Sequence, residues 1–145
     1  MRANDLPRQQ RLALLEAIRT VESTNGRDEH EVGDGGESYG AYQIQVGTAA
    51  KLLQFCRFKK EPKCPLTPQE DGLLRLYLSI PAANEGLAHL QLNFCEQVKR
   101  LKRVQNILYC YRRPADRTML AEHLWYVQRA LPIYRIALKR LRRGR

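Results

Sequence analysis

No run of apolar residues in the chain comes near the ~20 needed to cross a bilayer as a helix. The opening residues, M-R-A-N-D-L-P-R-Q-Q-R, also lack the apolar core of a secretory signal. There is no Cys-x-x-Cys pair, and the three histidines stand at no metal-ligand spacing, which argues against zinc. Asp28, Glu31 and Asp34 are carboxylates of the kind calcium takes, but they do not follow the spacing of an EF-hand loop. Neither zinc nor calcium is therefore expected. Internal repeats and low-complexity segments are missing as well. A hydrophobic content of 43% argues against disorder. At 145 residues the chain is expected to form a single domain over 1–145, large enough to bury its own core.

Acid is scarce outside one segment. Residues 22–37 hold Glu22, Asp28, Glu29, Glu31, Asp34 and Glu37 against Arg27 alone, whereas the whole chain carries +10. The last residues include Arg135, Lys139, Arg140, Arg142, Arg143 and Arg145 with no acid among them, and are read as a basic tail over 135–145 following a core of about 8–134. Such a field favours polyanions, whether nucleic acid, an anionic membrane or the acidic polymers of an envelope. The four cysteines permit two disulfides and with them an oxidising compartment, or else buried thiols. Cys56 and Cys64 flank a loop that they could close, and Cys95 and Cys110 lie on consecutive helical segments.

Helical periodicity dominates. Leu12, Leu15, Ile18 and Val21, with Leu14 beside them, predict an amphipathic helix over 8–23, ended by Asn25-Gly26. Four glycines without apolar periodicity predict a loop over 26–38, and an extended turn is expected around 38–44. A second helix is predicted from Gln43 to Phe58, with Gly47 a weak point. Pro62, Pro65 and Pro68 mark a loop, and Thr67-Pro68-Gln69-Glu70 reads as an N-cap, a first-turn proline and an acidic first turn. Further helices fit 68–79, 82–101 and 104–112. After the break at Pro114-Ala115-Asp116, Thr118 is expected to cap a last helix that Pro132 kinks or interrupts. In that helix Leu124, Val127 and Leu131 read as a core stripe. The class is mainly α, with at most a small extended or β element near the Gly-rich loop.

The richest chemistry lies between Val21 and Leu53. A glycosidic bond breaks when an acid protonates the leaving oxygen as an oxocarbenium-like centre develops. Glu22 ends a helix, where the macrodipole disfavours the charged carboxylate and apolar neighbours act in the same direction. Such an acid keeps a proton to donate. The same position also suits a solvated helix-end glutamate. Gly33, Gly35, Gly36 and Gly40 let backbone approach a ligand, and Ser38, Tyr39, Tyr42 and Gln43 offer the hydroxyl, ring and amide groups that sugar recognition uses.

Five ordered features sharpen this reading. Glu22-Ser23 with Asn25 resembles the Glu-Ser and following Asn of the soluble lytic transglycosylase domain. Gly40-Ala41-Tyr42-Gln43-Ile44, followed by Thr48-Ala49, resembles its Gly-Leu-Met-Gln-Ile and Thr-Ala. Asn84 and Gly86 resemble the Asn and Gly before its long helix. Leu108-Tyr109-Cys110-Tyr111 sits where the family reads Leu-Ala-Ala-Tyr, and Glu122 with Tyr126-Val127 resembles its Glu-Thr-x-x-Tyr-Val. The resemblance spans about residues 12–134.

It implies a lysozyme-like fold and cleavage of peptidoglycan between N-acetylmuramic acid and N-acetylglucosamine, with Glu22 catalytic, no metal or organic cofactor needed and 1,6-anhydro ends as product. Substrate contacts would fall to Ser38, Tyr42, Gln43, Tyr111 and Tyr126. A monomer acting on glycan strands in the periplasm or outside the cell is then expected, exported by another route or after loss of a signal. Anionic envelope polymers are further partners; nucleic acid is not expected. The chain departs from the family at Tyr111-Arg112-Arg113-Pro114, where the family has Tyr-Asn-Ala-Gly, at Tyr42 in place of Met, and in the acidic run Asp28-Glu29-His30-Glu31. Two other readings stand beside it. A lysozyme-type hydrolase would use Asp34 or Glu31 as a second carboxylate to activate water, and an inactive domain would bind polyanions through its basic end.

Overall fold

The fold is that of a computed structural model, which describes residues 8–23, 28–53, 66–112 and 121–143. The expected helix end at Asn25-Gly26, the Cys56 and Cys64 loop, the break at Pro114 and the Thr118 cap lie outside the described residues, as do the side chains of Asp34 and Glu122. The chain is mainly helical and falls into two compact units, one of residues 22–90 and one of residues 1–21 with 91–145.

The first helix, α1 (Arg8–Glu22), buries Ala13, Leu14, Leu15, Ala17 and Ile18. Its apolar stripe is therefore set by positions 14, 15 and 18, and Leu12, expected in the same stripe, stays 38% exposed. Alanines at 13 and 17 let neighbouring chain approach closely, which moves the buried face round the helix from where leucine spacing alone put it.

The unit 22–90 holds a small antiparallel sheet in the order β1 (Val32–Gly33), β2 (Ser38–Tyr39) and β3 (Ile44–Gln45). Val32 pairs with Tyr39 and Gly33 with Ser38; Ser38 in turn faces Gln45 and Tyr39 faces Ile44. A short 3₁₀ segment over Asp34–Gly36, broken by the left-handed Gly35 at φ 64, joins the first two strands. Strand β1 lies within the predicted loop over 26–38, which is corrected there, while β2 and Ile44 of β3 fall in the stretch over 38–44 expected to be extended. Strands of two residues are too short to show an alternating pattern. The second helix, α2 (Val46–Leu52), begins three residues later than predicted because Ile44 and Gln45 belong to the sheet. It packs on α3 (Pro68–Leu78). The start of α3 is as predicted: the Thr67 backbone N–H donates to Glu70 Oε1 at 3.0 Å, and Glu70 N–H donates to Thr67 Oγ1 at 3.1 Å. The bond from the Thr67 backbone, followed by the Thr67 hydroxyl, holds the Glu70 carboxyl below its ordinary pKa. Helix α4 (Pro81–Asn93) follows, and Phe94–Val98 forms a π-helical turn in place of the continuous helix predicted to 101.

In the other unit, α5 (Val104–Arg112) packs against α6 (Ala121–Arg143). Buried Ile107, Leu108 and Tyr111 come from α5, and Tyr126, Val127, Ala130 and Tyr134 from α6. Within the expected Leu124, Val127 and Leu131 stripe, Val127 is buried but Leu124 is 40% exposed. Pro132 does not interrupt α6. Both Pro132 and Gln128, whose carbonyl loses its helical donor, are exposed, so the freed oxygen lies on a side open to solvent. The basic end is likewise not a tail detached from the core: the helix runs to Arg143 and buries Tyr134 and Ala137. Arg140 pairs with Glu16 of α1, and Arg11 with the buried Glu96.

A disulfide joins Cys95 in the π-helical turn to Cys110 in α5, across 15 residues. Closing a loop of that length limits the unfolded chain by about 3 kcal/mol. Replacing both Cys95 and Cys110 by alanine is expected to lower unfolding free energy by about that amount in urea titrations. A change below about 0.5 kcal/mol would show that the bond constrains nothing the fold does not already hold.

Candidate active site

Glu22 is the last residue of α1 and is half-buried, with the buried Ser23 next to it. Its position at a helix C-terminus is as the periodicity predicted. Glu22, Glu31, Ser38, Tyr42 and Gln43 all belong to the unit 22–90, whereas Tyr111 and Tyr126 belong to the other.

Between β2 and β3 the chain reverses through Gly40-Ala41-Tyr42-Gln43, with Gln43 N–H donating to the Gly40 carbonyl at 3.1 Å. Gly40 has φ +79, a left-handed conformation that L side chains rarely take. Gln43 is left-handed too, at φ 48, an uncommon state for a residue with a Cβ. Its own side chain holds it there. The amide Nε2 donates to the Glu31 carbonyl at 3.1 Å and to the Gly40 carbonyl at 2.9 Å. The Glu31 carbonyl also accepts from Gly40 N–H at 2.7 Å. Both amide protons of Gln43 are thus engaged by backbone. Its Oε1 lies 2.4 Å from where a Cβ on Gly33 would stand, so residue 33 must be glycine for the amide to seat.

Asn84, on α4, locks the turn from the helical side. Its Oδ1 accepts from Tyr42 N–H at 3.2 Å, and its Nδ2 donates to the Tyr39 carbonyl at 2.7 Å and the Leu78 carbonyl at 3.2 Å. Asn84 is 1% exposed, so these are its means of satisfying a buried amide. A Cβ on Gly40 would meet the Asn84 carboxamide at 2.5 Å.

Arg75 of α3 grips the sheet as well. Its Nη1 donates to the Gly36 carbonyl at 2.7 Å and to the Tyr39 hydroxyl at 3.2 Å, and its guanidinium stands 6.0 Å from the centroid of the Tyr39 ring. Nε pairs with Asp71 at 2.7 Å and Nη2 with Glu37 at 3.2 Å. Bonding to Asp71, then Tyr39 and Glu37, holds its pKa above the ordinary arginine value. The pairs are partly solvated, which limits their worth. Arg75→Gln is expected to destabilise the chain by about 1–2 kcal/mol, mainly through the bond to the Gly36 carbonyl and the Tyr39 contact. A loss that disappears in high salt would instead assign it to the ion pairs alone.

Several side chains expected to touch sugar are buried. Ser38 is 1% exposed, Tyr42 5%, and Tyr111 and Tyr126 3% each. The Tyr126 ring lies under the Arg112 guanidinium at 5.6 Å, and the Tyr111 carbonyl accepts from Gln91 Nε2. Glu31 is half-buried and contributes its carbonyl to the turn, while the backbone of Asp34 starts the 3₁₀ turn. Arg75 was not singled out from the sequence, although its i,i+4 spacing from Asp71 is a readable signal. Among the described residues no three of His, Cys, Asp and Glu cluster as metal ligands would. No helix among them is long and apolar enough to cross a membrane. No protein-family model matches the chain, and neither a curated protein nor a solved structure is found to be similar to it.

Proposed function

We propose that the chain is a lytic transglycosylase of lysozyme-like fold that cleaves peptidoglycan with Glu22 as its acid and base. The observation that carries the proposal is the company kept by the residues behind the resemblance. Gly40, Gln43 and Asn84, spread over 45 residues, interlock in one turn of the unit that also contains Glu22. A turn held by two side-chain amides and two left-handed residues exceeds what a surface connection requires, and backbone of this kind concentrates at functional sites.

In the reaction Glu22 donates its proton to the oxygen between N-acetylmuramic acid and N-acetylglucosamine as that bond breaks. The resulting carboxylate takes the proton of the muramoyl C6 hydroxyl, whose oxygen closes on C1 to form the 1,6-anhydro ring. Glu22 ends as it began, protonated, and water is not consumed. One carboxylate suffices because the nucleophile belongs to the substrate. In this reading Gln43, Asn84 and Gly40 hold the turn in shape, and the buried Ser38, Tyr42, Tyr111 and Tyr126 serve as framework, each within its own unit. Catalysis on this substrate places the working protein in the periplasm or outside the cell. Purified sacculi incubated with the full chain are expected to release soluble muropeptides. Intact sacculi after prolonged incubation with correctly folded protein would overturn the proposal.

A further inference from the structure

Helix α6 carries a surface that the glycan reading leaves unused. At about 100° per residue, Trp125, Pro132, Ile136 and Arg143 fall within about 40° of one line along the helix. Trp125 is 56% exposed and Ile136 68%, so the first three make an apolar ridge standing in solvent, with Trp125 and Ile136 about 16 Å apart along the axis. Cations border it on both sides, Arg129 and Arg140 on one and Arg135, Lys139 and Arg142 on the other, and all five are exposed. The Arg129 guanidinium lies 5.4 Å from the centroid of the Trp125 ring. From His123 to Arg143 the helix contains no acid.

We infer that this face of α6 docks on the surface of an anionic phospholipid bilayer. The order of residues across the face selects that partner. A surface for nucleic acid puts its cations along the phosphate track, whereas here the centre is apolar and the cations stand at the flanks. At a bilayer the ridge enters the boundary between headgroups and acyl chains, and the arginine and lysine stems lie along it while their charges reach the phosphates. Tryptophan is well placed at that depth because its ring is apolar and its N–H can still meet polar partners. The helix lies on the membrane and does not span it.

Trp125 is the chain's single tryptophan and lies on the ridge itself, so it reports the contact directly. The full chain is mixed with vesicles of phosphatidylcholine alone or of equal parts phosphatidylcholine and phosphatidylglycerol, and also with duplex DNA. Expected are a blue shift of tryptophan emission and co-sedimentation with the anionic vesicles only, weakening as salt is raised. Each of Arg135→Gln and Lys139→Gln is expected to weaken binding about fivefold at low salt. Ile136→Ser, which removes an exposed side chain, should weaken it by about tenfold with the blue shift reduced. Absence of binding to anionic vesicles overturns the inference. So does binding unaffected by these variants, or binding to DNA alone with tryptophan emission unshifted. Release of muropeptides from sacculi does not enter this test, so it succeeds or fails separately from the peptidoglycan proposal.

Discussion

Glu22→Gln is expected to lower the rate of muropeptide release by about 10²–10⁴-fold, the usual contribution of a positioned general acid and base. Glutamine keeps the length and shape of the side chain and can still form hydrogen bonds. It cannot donate a proton to the leaving oxygen or take one from the C6 hydroxyl. The unfolding free energy of this variant in urea should therefore stay within about 0.5 kcal/mol of the wild type, since a half-buried helix-end position tolerates the change. Glu22→Asp keeps the acid but withdraws it by one methylene, and a displacement of that order still costs about 10²-fold. Release by the glutamine variant at the wild-type rate would remove Glu22 from its assigned role.

The second large effect is one of architecture. Asn84→Ala leaves Tyr42 N–H and the carbonyls of Tyr39 and Leu78 without their carboxamide partner in a place that water does not reach. At about 1–3 kcal/mol for a buried polar group left unpaired, the combined loss is expected to be of order 3–5 kcal/mol. Gly40→Ala also destabilises, through two causes: the strain of φ +79 and a Cβ placed 2.5 Å from the Asn84 carboxamide. The first costs about 1–2 kcal/mol whatever the neighbour. The second depends on Asn84, which three hydrogen bonds hold in place. In the Asn84→Ala background the carboxamide is gone, so Gly40→Ala should cost only its strain. A double-mutant cycle measured by urea unfolding is expected to show coupling of at least about 1 kcal/mol. Strictly additive costs would mean that the two residues do not interlock.

What could be read from the sequence follows from the range of the forces involved. The cap at Thr67 and Glu70 was legible because its partners are three residues apart and its chemistry is local. Helix α5 was legible because apolar spacing carries it, and the pairing of Cys95 with Cys110 was one of the readings the spacing left open. Strand β1 was not, since it has two residues and is held by its partner rather than by its own pattern, whereas the extended stretch expected around 38–44 does hold β2 and the start of β3. Leu12 misled because the buried stripe of α1 runs through its alanines, and α6 continues past Pro132 on a side of the helix that faces solvent.

Within the candidate site, Glu22, Gly40, Gln43 and Asn84 could be named from the sequence. Their roles could not. Whether the Gln43 amide meets a sugar or two backbone carbonyls is decided by where Glu31 and Gly40 lie in space. The burial of Ser38 and Tyr42 is likewise a tertiary outcome that residue type does not disclose.

The central claim concerns how one carboxylate cleaves the bond, and the mass of the product tests it most directly. Muropeptides released from sacculi by the wild-type chain are predicted to end in 1,6-anhydro-muramic acid, lacking one water relative to a hydrolytic product. Ends of reducing muramic acid alone would contradict the account. They would require a second carboxylate, Glu31 or Asp34, to activate water opposite Glu22.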